Sequence, residues 1–270
     1  VSAPARSFLF VPGNRPDRFA KACAAGADAV IVDLEDAVPP SEKVSARKAL
    51  VSWLSPALPV LVRINSAGSE WFHDDLALGC LPGVAGIVLP KAEHEKDLAF
   101  ISHAGARSIL PLIESAQGMW NVEALARSPL VQRLVFGAID FSLDLGIIEG
   151  HEQLLYFRSQ LVLVSRVAGI GAPVDGVTTA LDDPDLVREE TLRGRALGFG
   201  GKLCIHPKQV ATVNSAFAPT VAELAWAVRV LDAAAISNGA AVALDGMMVD
   251  RPVILIAQQM LDEAARRTGS

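Results

Sequence analysis

The sequence predicts an α/β protein of the (β/α)8 type, a closed parallel barrel carrying a C-terminal helical and hairpin extension. Three observations lead there. Eight short runs rich in Val, Ile and Leu recur along the chain, with helix-periodic segments between them. These runs are apolar at consecutive positions, which marks strands buried on both faces in a parallel sheet covered by helices. The length of 270 residues is close to the ~250 usual for an eight-stranded barrel, whereas an open doubly wound sheet normally uses fewer strands.

The first run is SFLFVPG at 7–13. Pro16 follows where a first-turn proline belongs, with Asn14 or Asp17 as the candidate cap of the next helix. The second run, AVIVDLED at 29–36, leads into the helical segment 42–54. PVLVRIN (59–65), GIVLPKA (86–92), SILPLIES (108–115) and RLVFGAID (133–140) supply strands three to six, and 151–169 is a long helical segment. Strand seven, 171–177, is diluted by Gly171, Pro173 and Gly176 but is needed to complete the barrel. Gly198, Gly200 and Gly201 let the chain turn tightly into strand eight, GKLCIHP at 201–207. Beyond it come a helix over 221–237, a hairpin or exposed turn over 239–252 and an amphipathic helix over 253–267. The expected organisation is a barrel over 1–215 and an extension over 216–270, part of the same domain and placed at an oligomer interface. The methionines, Trp53 and Trp226 read as packing.

Composition removes several classes of function. The chain is 51% hydrophobic, and its 24 basic against 30 acidic side chains leave a charge of -6; disorder needs the opposite balance of low hydrophobicity and high net charge. No basic block supplies phosphate neutralisation, which argues against nucleic acid. The apolar stretches keep meeting charge, as in residues 29–38 and 86–93, whereas a membrane span needs ~20 apolar residues without such breaks. The run before Pro12 and Gly13 is too short for a secretory signal. Cys23, Cys80 and Cys204 form no C-x-x-C pair, and the five histidines form no H-E-x-x-H. A reducing cytoplasm is the expected location.

The strand ends are polar: Asp33, Glu35 and Asp36; Arg63 and Asn65; Lys91 and Glu93; Glu114 and Ser115; Asp140; Asp175; His206. In a barrel these C-terminal ends gather round one mouth, where active sites form. Glu114 and Asp140 close strands five and six. They read either as a carboxylate pair for Mg2+, a hard cation that prefers oxygen donors, or as a helix cap and a local ion pair. The acids at 33–36 are either acceptors for water on that cation or a structural network; strand alternation forbids all three the same role. Arg63 either grips a substrate carboxylate with its planar fork or pairs with a mouth acid. Lys91 suggests a Schiff-base amine, yet that chemistry needs a depressed pKa, and neighbouring carboxylates would raise it. Gly13-Asn14-Arg15 offers donors to a phosphate or carboxylate. His206 is a structural hydrogen-bonder before it is a base.

Together FLFVPGNRPDRFAKA (8–22), VIVDLEDAVPPSEKVSAR (30–47), VRIN (62–65), IVLPKAE (87–93), LIESAQG (112–118), FGAIDFSLDLG (136–146), GKLCIHPKQV (201–210) and DGMMVDRP (245–252) resemble the citrate lyase beta-subunit-like family of the HpcH/HpaI aldolase superfamily, over nearly the whole chain. The resemblance implies a TIM barrel, a homotrimer or dimer of trimers, and a divalent-metal site using Mg2+, with Mn2+ as a substitute. Carried over by motif, Glu114 and Asp140 are the metal ligands. Arg63 holds the 2-keto acid, Glu35 and Asp36 organise metal-bound waters, and Arg15 faces the entrance for coenzyme A or substrate. Asp250 is the acid/base, delivered into a neighbouring subunit's site by the C-terminal segment. The implied reaction is cleavage of a 3-hydroxy-3-carboxyacyl thioester of the citryl-CoA type, on CoA or an acyl carrier, to oxaloacetate and acetyl thioester. Citramalyl-CoA or malyl-CoA lyase, a malate synthase or thioesterase activity, and a non-catalytic carrier-docking subunit are the alternatives.

Overall fold

A computed structural model describes residues 4–148, 152–236 and 240–268. Eight parallel strands close into a barrel, each beside its sequence neighbours, with the eighth returning to the first. They are β1 (Ser7–Pro12), β2 (Ala29–Asp33), β3 (Val60–Arg63), β4 (Val84–Leu89), β5 (Ile109–Ile113), β6 (Val135–Phe136), β7 (Val174–Asp175) and β8 (Gly201–Cys204). Phe8 lies opposite Ala29 on one side and Leu203 on the other. Every predicted strand is present in its predicted place.

Alternation along the strands makes two cores. Phe8, Ile31, Leu61, Val88, Leu110, Leu112, Val135, Val174 and Leu203, drawn from all eight strands, pack on one another inside the barrel. Their neighbours, among them Leu9, Val32, Val62, Leu89 and Ile113, pack outward with helix residues such as Phe19, Leu50, Leu98 and Phe141. Trp53 sits edge-on to Phe19 at 5.2 Å, a packing role as expected. Each fully buried aliphatic contributes about 1.5–3 kcal/mol, and strands with two buried faces account for the high apolar fraction. At the other barrel end, Arg133 donates to the carbonyls of Ala172 (2.5 Å), Ala5 (2.6 Å) and Pro173 (3.4 Å), over the ring of Phe8. Burial pulls its pKa down to about 10.

Two local expectations are corrected. The strand expected over 133–140 stops at Phe136, and a helix, Ala138–Leu145, begins almost at once. Asp140 therefore stands in the first turn of a helix rather than at a strand end. After β1, Pro16–Arg18 forms a 3-10 turn leading into the helix Phe19–Cys23, with no side-chain cap. Asn14 donates instead to Glu42 (2.8 Å) and Asp17 pairs with Arg15. The long helix expected over 151–169 runs Leu155–Val167, and residue 151 lies outside the described residues.

The chain forms two compact units, Ala5–Phe217 and a smaller one comprising Ala218 onward with Pro4. In the smaller unit the helix Val221–Ile236 packs on the helix Arg251–Thr268 around Ala227, Val230, Val249 and Ala257, with Trp226 against them. Residues 237 and 239 of the predicted helix and hairpin lie outside the described residues. The hairpin joins β9 (Val242–Leu244) to β10 (Met247–Val249). Its turn, Asp245-Gly246, holds φ of 51° and 78°, the two left-handed residues that a tight hairpin favours.

Candidate active site

A cavity of about 390 Å3 opens among the C-terminal strand ends, lined by Phe10, Asp33, Asp36, Arg63, Glu114, Phe136, Asp140, Val177 and Leu203 among others. Its chemistry begins at the end of β2. Asp33 is 2% exposed and accepts hydrogen bonds from the backbone N–H groups of Glu35 (2.9 Å) and Ala37 (3.1 Å). Those bonds curl the chain after the strand. Both its oxygens also take one edge of the Arg63 fork, from Nε at 2.7 Å and Nη2 at 2.6 Å. Arg63 is thus engaged by a mouth acid and faces the cavity at the same time. Burial acts against its charge, but Asp33, with Glu35 and Asp36, holds the guanidinium above its ordinary range.

Glu35 follows, buried, with Oε1 2.5 Å from Lys91 Nζ and Oε2 3.1 Å from Arg63 Nη1. Burial pushes its carboxyl above the usual carboxylate range, and Arg63 and Lys91 offset this only in part. Lys43, also buried, donates to the carbonyls of Leu34 (2.8 Å) and Glu35 (2.7 Å) and so pins the same turn from beneath. Asp36 is exposed, with Oδ2 3.7 Å from Arg63 Nη1.

Glu114 follows directly on β5 and is 3% exposed. Its Oε1 accepts the Lys91 backbone N–H at 2.7 Å. Burial pushes its carboxyl up to about 8, with the negative charges of Glu35 and Asp140 adding to the effect and the Lys91 N–H opposing it. The helix-cap reading of Glu114 is set aside, because Ser115 caps the helix Ala116–Trp120 through Gly118 N–H. Asp140 lines the same cavity, and its carboxylate makes no hydrogen bond or ion pair among the described residues. A Cβ on Gly137 would stand 2.5 Å from Glu114 Cβ and 2.6 Å from its Oε2, so glycine there reserves space for the carboxylate.

This donor set fits a hard divalent cation. Two carboxylates share one cavity, one of them buried enough to resist ionising, and a cation between them would reverse that penalty. Among the described residues no group of three or more His, Cys, Asp and Glu is placed to hold a metal ion by itself, so the remaining positions would fall to water and a ligand's oxygens, as Mg2+ commonly accepts.

Arg15 is half-buried and paired with Asp17 through Nε (2.9 Å) and Nη2 (2.8 Å); it is not among the cavity-lining residues. Asp250 belongs to the smaller unit, where its carbonyl takes the Ile254 N–H at the start of the last helix. His206 accepts the Lys208 N–H on Nδ1 at 3.2 Å, the structural role expected. Lys91 is held above its ordinary pKa: burial works against the ammonium, but Glu35 outweighs it, so the Schiff-base role lacks its depressed amine. Which mouth acid clamps Arg63, the buried Lys43 and the glycine requirement at 137 were not legible in the sequence. Only the last had a local signal, a glycine between strand and helix.

The sequence profile of the HpcH/HpaI aldolase/citrate lyase family matches residues 6–207. The chain belongs to that family. Within it, a citrate lyase subunit beta-like protein of Deinococcus radiodurans is 39% identical, over 96% of this chain and 97% of that one. A (3S)-malyl-CoA thioesterase of Cereibacter sphaeroides is 35% identical over 97% and 95%. Among solved structures, protein CitE of Mycobacterium tuberculosis, in complex with magnesium, acetoacetate and coenzyme A, superposes with a TM-score of 0.86 at 35% identity, covering 97% of this chain and 98% of that one. The family membership and its citrate lyase beta-subunit-like branch are those implied by the motifs.

Proposed function

We infer that this family member is a Mg2+-dependent carbon–carbon lyase acting on a CoA thioester and releasing a 2-keto acid. The observation that carries the reading is the buried Glu114 carboxylate, raised to about 8, sharing a cavity with Asp140 and the Asp33-clamped Arg63. The similar CitE protein was solved with magnesium, a keto acid and coenzyme A, which supports it. Glu114 and Asp140 would hold the cation, which when bound supplies Lewis-acid polarisation of the substrate's oxygens.

The remaining work belongs to side chains. Arg63 presents Nη1 to the keto-acid carboxylate while Asp33 fixes its other edge, so the charge is oriented before the ligand arrives. Phe10, Leu112, Phe136 and Leu203 wall the cavity and lower the local dielectric, which strengthens every charged contact inside. Glu35 and Asp36 are assigned to ordering water beside the cation. Asp250 is assigned the proton: it protonates the thioester enolate expelled by carbon–carbon cleavage, or removes the α-proton in the reverse direction. We place it in the site of a neighbouring subunit and the protein in a homotrimer or a dimer of trimers. Exposed Trp120, Leu143 and Tyr156 on the barrel unit support a face covered by assembly. Arg15 is assigned to the thioester entrance. Among the described residues no helix is long and apolar enough to cross a membrane, and we assign the enzyme to the cytoplasm.

Within this class we favour a 3-hydroxy-3-carboxyacyl thioester of the citryl-CoA type, cleaved to oxaloacetate and acetyl thioester. A second reading, hydrolysis of the thioester, is favoured by the similarity to (3S)-malyl-CoA thioesterases. Incubation with citryl-, citramalyl- and malyl-CoA, with and without Mg2+, separates them by products. A lyase releases acetyl-CoA and a keto acid, and a thioesterase releases free CoA and the intact hydroxy acid. Turnover unaffected by chelation would refute the metal-dependent mechanism.

A further inference from the structure

Lys91 is the residue whose geometry the reaction does not yet use. It is a non-glycine residue at φ 48°, a conformation uncommon for a side chain of its kind. Two contacts of this one residue reach both halves of the site. The backbone N–H meets Glu114 Oε1 at 2.7 Å, and Nζ meets Glu35 Oε1 at 2.5 Å. The other oxygen of Glu35 is buried and without a hydrogen-bond partner, although Arg63 Nη1 lies 3.1 Å away. The two groups face each other at ion-pair distance with no hydrogen bond in line. Asp33 takes one hydrogen bond each from Nε and Nη2, and Nη1 is the nitrogen of the fork that makes none among the described residues.

Glu35 is therefore a competitor within the site. A buried carboxylate seeks the nearest strong donor, because an unsatisfied one is costly. Lys91 supplies that donor to Oε1, and Nη1, at ion-pair distance from Glu35 (3.1 Å) and Asp36 (3.7 Å), carries no hydrogen bond among the described residues. We propose that Lys91 is a positioning residue: by pairing with Glu35 it keeps that carboxylate from capturing Arg63 Nη1, and so leaves Nη1 for the carboxylate of a 2-keto acid. Its action passes through Glu35 to Arg63, across the wall between the metal ligand Glu114 and the carboxylate anchor.

The inference rests on the keto-acid reading of the cavity, and binding measurements test it without relying on turnover. Pyruvate binding at saturating Mg2+, and Mg2+ binding alone, are measured by calorimetry for Lys91→Met, Lys91→Arg, Glu35→Gln and the double variant Lys91→Met/Glu35→Gln. Methionine and arginine carry the same backbone burden at φ 48° and keep the N–H to Glu114. Lys91→Met is expected to weaken pyruvate binding about tenfold, the scale of one charge-assisted hydrogen bond, without weakening Mg2+. Lys91→Arg is expected to restore most of the loss. In the Glu35→Gln background Lys91→Met is expected to change nothing further. A parallel loss of Mg2+ and pyruvate affinity, or an undiminished loss in the Glu35→Gln background, overturns the inference alone. Failure of the wild-type protein to bind pyruvate, oxaloacetate or glyoxylate overturns the keto-acid reading and this inference with it.

Discussion

Removing the charge of Glu114 should change how stability depends on pH, and should do so with opposite signs in the absence and presence of Mg2+. In the metal-free protein its carboxyl is raised from an ordinary 4.5 to about 8, chiefly by burial. Between those values the folded state holds a proton that the unfolded chain has released. Stability from this group is therefore greatest below pH 4.5 and falls as pH rises toward 8. Each pH unit of that interval is worth about 1.4 kcal/mol, so the full fall approaches about 5 kcal/mol, a ceiling because the charges of Glu35 and Asp140 act on the same carboxyl. Glu114→Gln, which stays neutral throughout, should lack this fall. Denaturant unfolding of chelated protein at pH 5, 7 and 9 measures it, as the difference between wild type and variant. At pH 8 added Mg2+ should stabilise the wild type and leave the variant nearly unmoved. Parallel pH profiles, or equal stabilisation of both by Mg2+, would refute the reasoning.

Other perturbations follow from the same geometry. Gly137→Ala places a Cβ 2.6 Å from Glu114 Oε2, and should cost about 1–3 kcal/mol of stability together with a loss of Mg2+ affinity, read by thermal melts with and without the ion. Asp33→Asn leaves the Arg63 guanidinium without its bidentate partner. A loss of about 3–5 kcal/mol is expected for such a broken buried pair, visible as a lower denaturant midpoint. Asp250→Ala should abolish exchange of the acetyl-CoA methyl protons with solvent while keto-acid binding survives. Subunits carrying Asp250→Ala mixed with subunits carrying Arg63→Ala should regain part of the activity, and mixed oligomers without regained activity would count against a shared site.

The barrel was legible because its signal is local. A run such as AVIVD is apolar at consecutive positions, Ile31 facing the barrel interior and Val32 the helices, and no amphipathic alternative fits it. The boundary of β6 was misjudged for the same reason. Small and apolar residues continue past Phe136, and neither side-chain size nor hydropathy marks the point where Gly137 lets the chain turn into a helix. Candidate site residues were legible as types at strand ends, but their pairings were not. Arg63 meets Asp33 across 30 residues of sequence and Lys91 meets Glu35 across 56. Such contacts exist only once the ring of strands has closed. The left-handed Lys91 likewise has no local signature, since lysine has no preference for that conformation.

The unequal lengths of the strands have a mechanical consequence. β1 and β2 pair over five positions, but β6 and β7 meet through one, Val135 with Val174. The ring therefore has a seam, and backbone opening should be easiest there, seen as faster amide exchange at β6 and β7 than at β1 and β2. Glu114 hangs from the strand before that seam and Asp140 from the helix that follows β6. A cation held by both would act as a rivet beside the loosest joint of the barrel. Slowed exchange across 133–145 on adding Mg2+, with little change at β1 and β2, would be its signature.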